Sequence, residues 1–399
     1  MIKQRFILPR NVKYIISELN KYGYRADIVG GCVRDILLAK EPFDYDITTN
    51  ALPNEMKNVF SHHKVLETGI KHGTLTVIVD GVNYEITTYR LDGEYTDNRH
   101  PDSVLFTGDI SLDLSRRDFT VNAMCYNDEN GLTDLFGGIA DLKNGIIRAV
   151  GEPRQRFQED ALRIVRALRF ASTLDFKIES KTSDAIRECA GLLANVSSER
   201  IFTEWQKLIA GKGAHRVISE FSDIIGCVVP MLNISAMPDA TEFENADSEI
   251  RELSLFALSV GEGAAQLFDE AMRKLKSDNK HRLFGVSVLN NITADTDSRI
   301  SLIHLLIKGG VEVSLAVIKL KALLNIASPE SEKMLVEILN SDACYKLSKL
   351  KVNGNDMRGF GLSGKEIGQE LDRILLLVAE GKLENEFDKI KDEVTKARK

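Results

Sequence analysis

The sequence predicts an α+β head over residues 1–147 followed by an all-α remainder, and three observations carry that prediction. Runs rich in Val, Ile, Thr and Tyr are confined to the first 147 residues. Two of them, "TLTVIV" and "VNYEITTYR", flank Asp80-Gly81, a dipeptide suited to the tight turn of a hairpin. From Arg154 onward strand signals nearly vanish, and a helical apolar period runs to the C-terminus.

Taken in order, residues 11–22 carry helical apolar spacing, "ADIVG" and "DYDITT" read as strands, and "PNEMKNVF" as a short helix opened by Pro53. The hairpin follows. The polar stretch from Leu91 to Asp113, with Gly93, Pro101 and Gly108, is expected to be a long loop, and loops of that length are usually functional or disordered. In "EDALRIVRALRFAS", Ala161, Leu162, Val165 and Leu168 form an apolar stripe, with Asp160, Arg163 and Arg166 on other faces. Breaks at 211–213, "MPDATE", "TADTDS" and "SPESE" divide the remainder, so the expected divisions are 1–147, 148–215, 216–330 and 331–399.

Composition excludes several classes. The 399 residues are 43% hydrophobic, enough for a large core in several domains. The N-terminus breaks its apolar stretch with Pro9, Arg10 and Lys13, unlike a signal peptide, and no run of eighteen apolar residues suggests a membrane span. Five scattered cysteines without CxxC read as reduced thiols of a cytoplasmic protein, not a zinc site. A net charge of −7 argues weakly against nonspecific nucleic-acid binding. Local charge matters more: Arg148 to Arg169 hold six arginines against three acids.

Chemistry concentrates in "IVGGCVRDILLAKEPFDYDITTN". Two apart on a strand, Asp44 and Asp46 would face the same way, and such a pair repels unless a cation intervenes. Oxygen donors of this kind suit Mg²⁺ completed by a substrate triphosphate. Gly30 and Gly31, between a strand and a helix-like run, allow a phosphate to approach backbone amides, and Arg34 adds a cation. A P-loop is absent. Each feature alone is also compatible with a solvated strand edge or a plain turn. Their order, GGxVRD and then DxD, is more specific.

That ordered stretch resembles the signature of the class II tRNA nucleotidyltransferase and bacterial poly(A) polymerase family, within the polymerase-β-like superfamily. The resemblance implies a nucleotidyltransferase head with a mixed sheet, followed by a helical neck, body and tail. In "SRRDFTVNAM" it places a nucleotide-contacting arginine on Arg117 and a sugar-contacting acid on Asp118. In "EDALRIVRALRF" it makes Asp160 and Arg163, at i and i+3, the protein template for the base. Arg offers donors and Asp acceptors, which suits the Watson–Crick edges of C and A. Arg166 and Arg169 then contact nucleotide or support the site. Gly137 and Gly138 would give a spring-like head–neck link, and "SSERIFTEWQKLI", with Arg200, Glu204 and Lys207, would buttress the templating helix around a core Trp205. Glu85 sits where some relatives supply a third metal carboxylate. An intact "DGEYTDNRHP" favours addition of the terminal A, and the tail, with Lys365 in "GLSGKEIG", would grip the tRNA elbow. No histidine precedes an aspartate, so the fused HD phosphohydrolase of some relatives is not expected.

The resemblance thus implies template-independent CCA addition to the tRNA 3′ end from CTP and ATP, with Mg²⁺ as cofactor and no membrane. An A-adding or CC-adding partner of a split system, a poly(A) polymerase and a non-catalytic RNA-binding relative remain the alternatives.

Overall fold

The first helix follows its apolar spacing. In this computed structural model, which describes residues 5–93 and 104–397, α1 (Arg10–Lys21) turns Val12, Ile15, Ile16 and Leu19 to one buried side. After β1 (Ala26–Val29) comes α2 (Gly31–Leu37), then β2 (Ile47–Thr49) and α3 (Pro53–Val59). Strands β3 (Lys64–Leu66), β4 (Thr74–Val79) and β5 (Val82–Thr88) follow. Asp80 and Gly81 both adopt positive φ between β4 and β5, the conformation a two-residue hairpin turn demands.

One expectation fails on the next stretch. The segment from Leu91 to Asp113 is not simply a loop. Its arms β6 (Arg90–Asp92) and β7 (Val104–Phe106) pair antiparallel, and α4 (Ile110–Ser115) closes it. Asp109 caps that helix by accepting a bond from the Ser111 amide at 2.8 Å. Residues 94–103, the heart of the loop expected to govern terminal A addition, lie outside the described residues. Strands β8 (Met124–Asn127) and β9 (Gly131–Asp134) complete a seven-stranded sheet ordered β3-β4-β5-β2-β1-β8-β9. It is mixed as expected: β2 and β5 run parallel, the other neighbours antiparallel.

The two glycines after β9 sit in different surroundings. Gly137 starts α5 (Gly138–Asn144) with positive φ, and a Cβ on Gly138 would lie 2.3 Å from the Thr120 carbonyl oxygen. Asp134 accepts both the Gly138 and Ile139 amides, fixing the turn further. Close packing, not freedom, explains Gly138.

The short strand β10 (Ile146–Ile147) leads to α6 (Pro153–Glu159) and α7 (Leu162–Leu174), and β11 (Lys177–Ile178) pairs with β10. Then come α8 (Ser180–Cys189), α9 (Ser198–Ile209), α10 (Ala214–Glu220) and α11 (Ser222–Val228). Helices α7 and α9 pack together, and Trp205 of α9 is fully buried, a core residue. Sheet and helices up to this point form one compact unit, Met1–Val228.

The second unit, Val229–Lys399, is entirely helical among its described residues: α12 (Ala240–Asn245), α13 (Ser248–Val260), α14 (Ala264–Lys274), α15 (Asn279–Asn290), α16 (Arg299–Leu323), α17 (Glu330–Leu339), α18 (Gly354–Gly359), α19 (Lys365–Ala379) and α20 (Phe387–Lys396). One helix, α16, is long and apolar enough to cross a membrane by length and composition. It is instead interrupted at Gly310 (φ 74°) and sinks Leu302, Ile303, Leu306 and Ile318 into a core with Leu335 and Ile338 of α17. A separate cluster around Met357, Ile374, Ile390 and Val394 holds the last three helices together.

Candidate active site

The two aspartates precede β2 and are not part of it. The strand begins at Ile47, and Asp44 and Asp46 are exposed on the extended approach to it. The Val29 amide still donates to the Asp46 carbonyl at 3.0 Å, extending the β1–β2 pairing by one residue and fixing the Asp46 backbone. Ile47 pairs with Ile86, so Asp46 and Glu85 each lie one residue before that pair on parallel chains. Partial desolvation, then the charge of Asp44, raise the Asp46 carboxyl above the ordinary range; Arg117 opposes them and Glu85 adds to them. These four side chains therefore feel one another. Among the described residues no three His, Cys, Asp or Glu groups form a ready-made metal cage. Two exposed, mutually repelling carboxylates fit a hard divalent cation whose shell a substrate completes.

Beside them lies a cradle suited to phosphate. Gly30 has φ +80°, a backbone conformation that favours glycine, and a Cβ there would stand 2.9 Å from Arg117 Nη1, so the guanidinium lies directly against this turn. A Cβ on Gly31 would come within 3.7 Å of Arg34 Nη2. The Arg34 amide bonds the Gly30 carbonyl at 3.1 Å, leaving the amides of Gly31, Cys32 and Val33 without a partner inside α2. Arg34 donates to Asp35 at 2.9 Å and to Asn122 at 2.8 Å. Arg117 stands 3.4 Å from buried Asp113, which also holds Arg116 at 2.7 Å. Burial alone would raise the Asp113 carboxyl, but the two guanidiniums hold it below its usual range.

Asp118 is engaged on every side. Oδ1 accepts from the Phe119 amide and from Asn122, and Oδ2 accepts both Nε and Nη2 of Arg166 at 2.9 and 2.6 Å. Burial opposes its charge, yet Arg166 brings it down to about 2. Arg166 also reaches Glu204 at 3.5 Å, and Glu204 takes Arg169 at 2.8 Å. A chain of partners thus runs Arg34, Asn122, Asp118, Arg166, Glu204, Arg169, joining α2 to α7 and α9. Lys207 of α9 is exposed and stands apart from it.

Asp160 and Arg163 do not share a helix face. Asp160 is extended (φ −139°, ψ 104°) at the break between α6 and α7. Its Oδ1 accepts the Leu162 amide at 3.1 Å, and its Oδ2 accepts Arg200 Nη2 at 2.8 Å. Arg163, the second residue of α7 and buried, pairs with Glu159 and donates to the carbonyls of Arg156 and Arg116, both at 3.0 Å. Asp160 nonetheless raises Arg166 electrostatically, so the break adjoins the Asp118 chain. Sequence reasoning missed Asn122, Glu159 and Phe170. Glu159 was findable, four residues before Arg163 at ion-pair spacing, and Phe170 in part, four residues after Arg166; Asn122 and the Arg34 contact of Phe170 depend on tertiary structure.

Known proteins resemble this chain along its length. Residues 26–148 match the poly A polymerase head domain, and residues 175–223 match a family described as a probable RNA and SrmB-binding site of polymerase A. A CCA-adding enzyme of Ligilactobacillus salivarius is 48% identical over 209 residues, covering 52% of this chain and 51% of that protein. That of Pediococcus pentosaceus is 33% identical over 408 residues, covering 98% of each. The crystal structure of the Bacillus stearothermophilus CCA-adding enzyme in complex with CTP superposes with a TM-score of 0.83 at 32% identity, covering 98% of each chain. With a carboxylate pair, a glycine–arginine cradle and this likeness from end to end, the chain belongs to the CCA-adding enzyme family.

Proposed function

We infer that this protein completes tRNA 3′ ends, adding C, C and A from CTP and ATP without a nucleic-acid template and releasing pyrophosphate at each addition. One observation carries the inference: Asp44 and Asp46, the Gly30–Arg117 cradle and the Asp160–Arg163 turn occupy one compact unit of a chain that aligns end to end with CCA-adding enzymes.

In each cycle the tRNA 3′-oxygen forms a bond to the α-phosphorus, and the bond to the pyrophosphate oxygen opposite breaks. Asp44 and Asp46, with Glu85 as a candidate third carboxylate, would hold Mg²⁺. That ion supplies Lewis acidity for the attacking hydroxyl and charge neutralisation for the leaving group. The cradle of Gly30, Gly31, Arg34 and Arg117 binds the triphosphate through backbone amides and fixed cations. Asp160 presents an acceptor and Arg163 presents donors to the base, the pattern that C and A complement. For that, Arg163 exchanges part of its bonding to Glu159 and the two carbonyls for the base. Asp118 has all four lone-pair directions in use, so it serves the sugar pocket chiefly by fixing Arg166; Arg169 fixes Glu204 behind it. The head, neck, body and tail divisions at 147, 215 and 330, a tRNA-gripping tail and a cytoplasmic location belong to the same reading. The location is consistent with five unpaired cysteines.

The test uses purified protein, Mg²⁺ and tRNA transcripts ending before the first C, after CC, or with intact CCA, supplied with CTP, ATP or both. Sequenced 3′ ends are expected to show CC, then one A, then arrest. Addition of A to the CC transcript alone, or CC without A, would assign half of a split system. Long A tails would indicate a poly(A) polymerase, and no extension a binding protein.

A further inference from the structure

Three guanidiniums of the site converge on one phenyl ring. The Cζ of Arg169 lies 3.5 Å from the Phe170 ring centroid, and those of Arg34 and Arg166 lie 5.3 Å from it. Phe170 is only 4% exposed and packs edge-on against Phe119 at 5.7 Å. Arg34 comes from α2 beside the phosphate cradle, whereas Arg166 and Arg169 come from the helix that follows the base-reading turn.

Three like charges so close repel. Carboxylates answer part of the problem from outside: Asp35 on Arg34, Asp118 and Glu204 on Arg166, Glu204 on Arg169. Toward the middle of the cluster a further carboxylate would cancel the positive field that a triphosphate needs. An aromatic face attracts cations through its quadrupole, carries no net charge and uses no N–H donor. Burial, and the nearness of Arg166, already push the Arg169 guanidinium below its ordinary value, so an uncharged partner at van der Waals distance is well placed to stabilise it.

We propose that Phe170 is a positioning residue for nucleotide binding, a shared cation–π partner that sets the spacing of Arg34, Arg166 and Arg169 and so couples the phosphate cradle to the base-reading helix. The ring touches no reacting atom in this assignment; it acts through the arginines. The inference rests on the nucleotidyl-transfer reading above.

Fluorination of the ring separates electrostatics from packing, because it drains the quadrupole with little change in shape. Full-length protein carrying 4-fluoro-, 3,5-difluoro- or 3,4,5-trifluorophenylalanine at 170 is titrated with CTP and with ATP, and kcat and KM are measured on the CC-ended transcript. Each fluorine is expected to weaken nucleotide affinity by about twofold, with the log of affinity falling linearly, while the protein stays folded with only a small loss of Tm. KM should follow affinity while kcat changes less. Phe170→Leu should weaken binding about tenfold, and Phe170→Tyr should recover most of it. Affinities flat across the fluorinated series, in a wild-type protein that adds nucleotides, would overturn the proposal and leave Phe170 as packing. Wild-type protein that binds CTP without extending tRNA would sink the functional reading, while the fluorine series would still decide the role of the ring. Wild-type protein that does neither would overturn both.

Discussion

The two sides of the candidate site are built on opposite principles. On the head side Asp44, Asp46 and Glu85 are exposed carboxylates, and the charges of Asp44 and Glu85 add to the desolvation that raises the Asp46 carboxyl. On the neck side Arg166, Glu204 and Arg169 are bonded, together with Asp118 of the head, within a nearly neutral chain. On the function proposed above, the head side is completed by a divalent cation that arrives with the substrate, so little of its free energy is spent before binding. The neck side is finished in advance, as expected of a surface that must choose between bases: a pre-bonded group loses little entropy when it reads its ligand.

The sharpest way to break that contrast is to remove a head-side carboxylate. Asp44→Ala should lower nucleotide addition by about a thousandfold or more, since several kcal/mol of transition-state charge stabilisation go with it. Its exposure predicts a Tm within a degree or two of wild type. Addition at a tenth of the wild-type rate, measured on the CC transcript, would remove Asp44 from the metal site.

In the bonded chain the same kind of substitution should strike the fold first. Asp118→Asn leaves Arg166, partly exposed, with a neutral partner and is expected to cost about 2 kcal/mol in urea unfolding at pH 7. Wild-type Asp118 titrates at about 2, against its ordinary 3.8. A depressed carboxyl contributes stability that is present above the unfolded value and lost as pH falls. The wild type should therefore lose about 2 kcal/mol of Asp118-dependent stability between about pH 4 and pH 2. Asp118→Asn should lack that share; parallel slopes for the two proteins would refute the buried-pair reading.

A subtler break is Asp160→Ala. One lost hydrogen-bonding partner for a base edge is worth about 1–3 kcal/mol of discrimination, so U or G misincorporation should rise by about tenfold or more. Turnover with correct nucleotides should fall less. Arg200→Ala, which frees Asp160 Oδ2 without touching its charge, should loosen selection in the same direction. Unchanged fidelity in both variants, read by sequencing 3′ ends, would disconnect the α6–α7 turn from base choice.

The sequence showed one side of this contrast better than the other. Paired glycines and spaced aspartates are local patterns, and β1, α2 and the Asp80–Gly81 turn sit where those patterns put them. The exact reach of β2 was not legible, because a strand ends where its partners end, and β1 offers only Ala26–Val29. Helix α4 did carry its own signal in Asp109, a cap before Ile110 and Leu114, which the surrounding glycines and proline obscured. The break at Asp160 has no Gly or Pro to announce it. Arg200, forty residues away, and the Leu162 amide hold it, and both are tertiary or cap contacts. Gly138 has a reason to be glycine that the sequence did not show: only the fold reveals that Thr120 leaves no room there for a side chain.

The finest cut falls on Glu85, which belongs to the head side by register and charge and for which the smallest part in metal binding is expected. It is exposed on β5 and acts on Asp46 only through space, as the last of the causes that raise it. Exposed charges interact by about 0–1 kcal/mol, so Glu85→Gln should reduce kcat by no more than about fivefold, with the half-saturating Mg²⁺ concentration moved by less than about threefold. A hundredfold loss with a matching rise in the Mg²⁺ requirement would make Glu85 a third ligand. The head side would then be a three-carboxylate site that assembles only around its ion, and its contrast with the pre-bonded neck would be larger than the exposed pair alone implies.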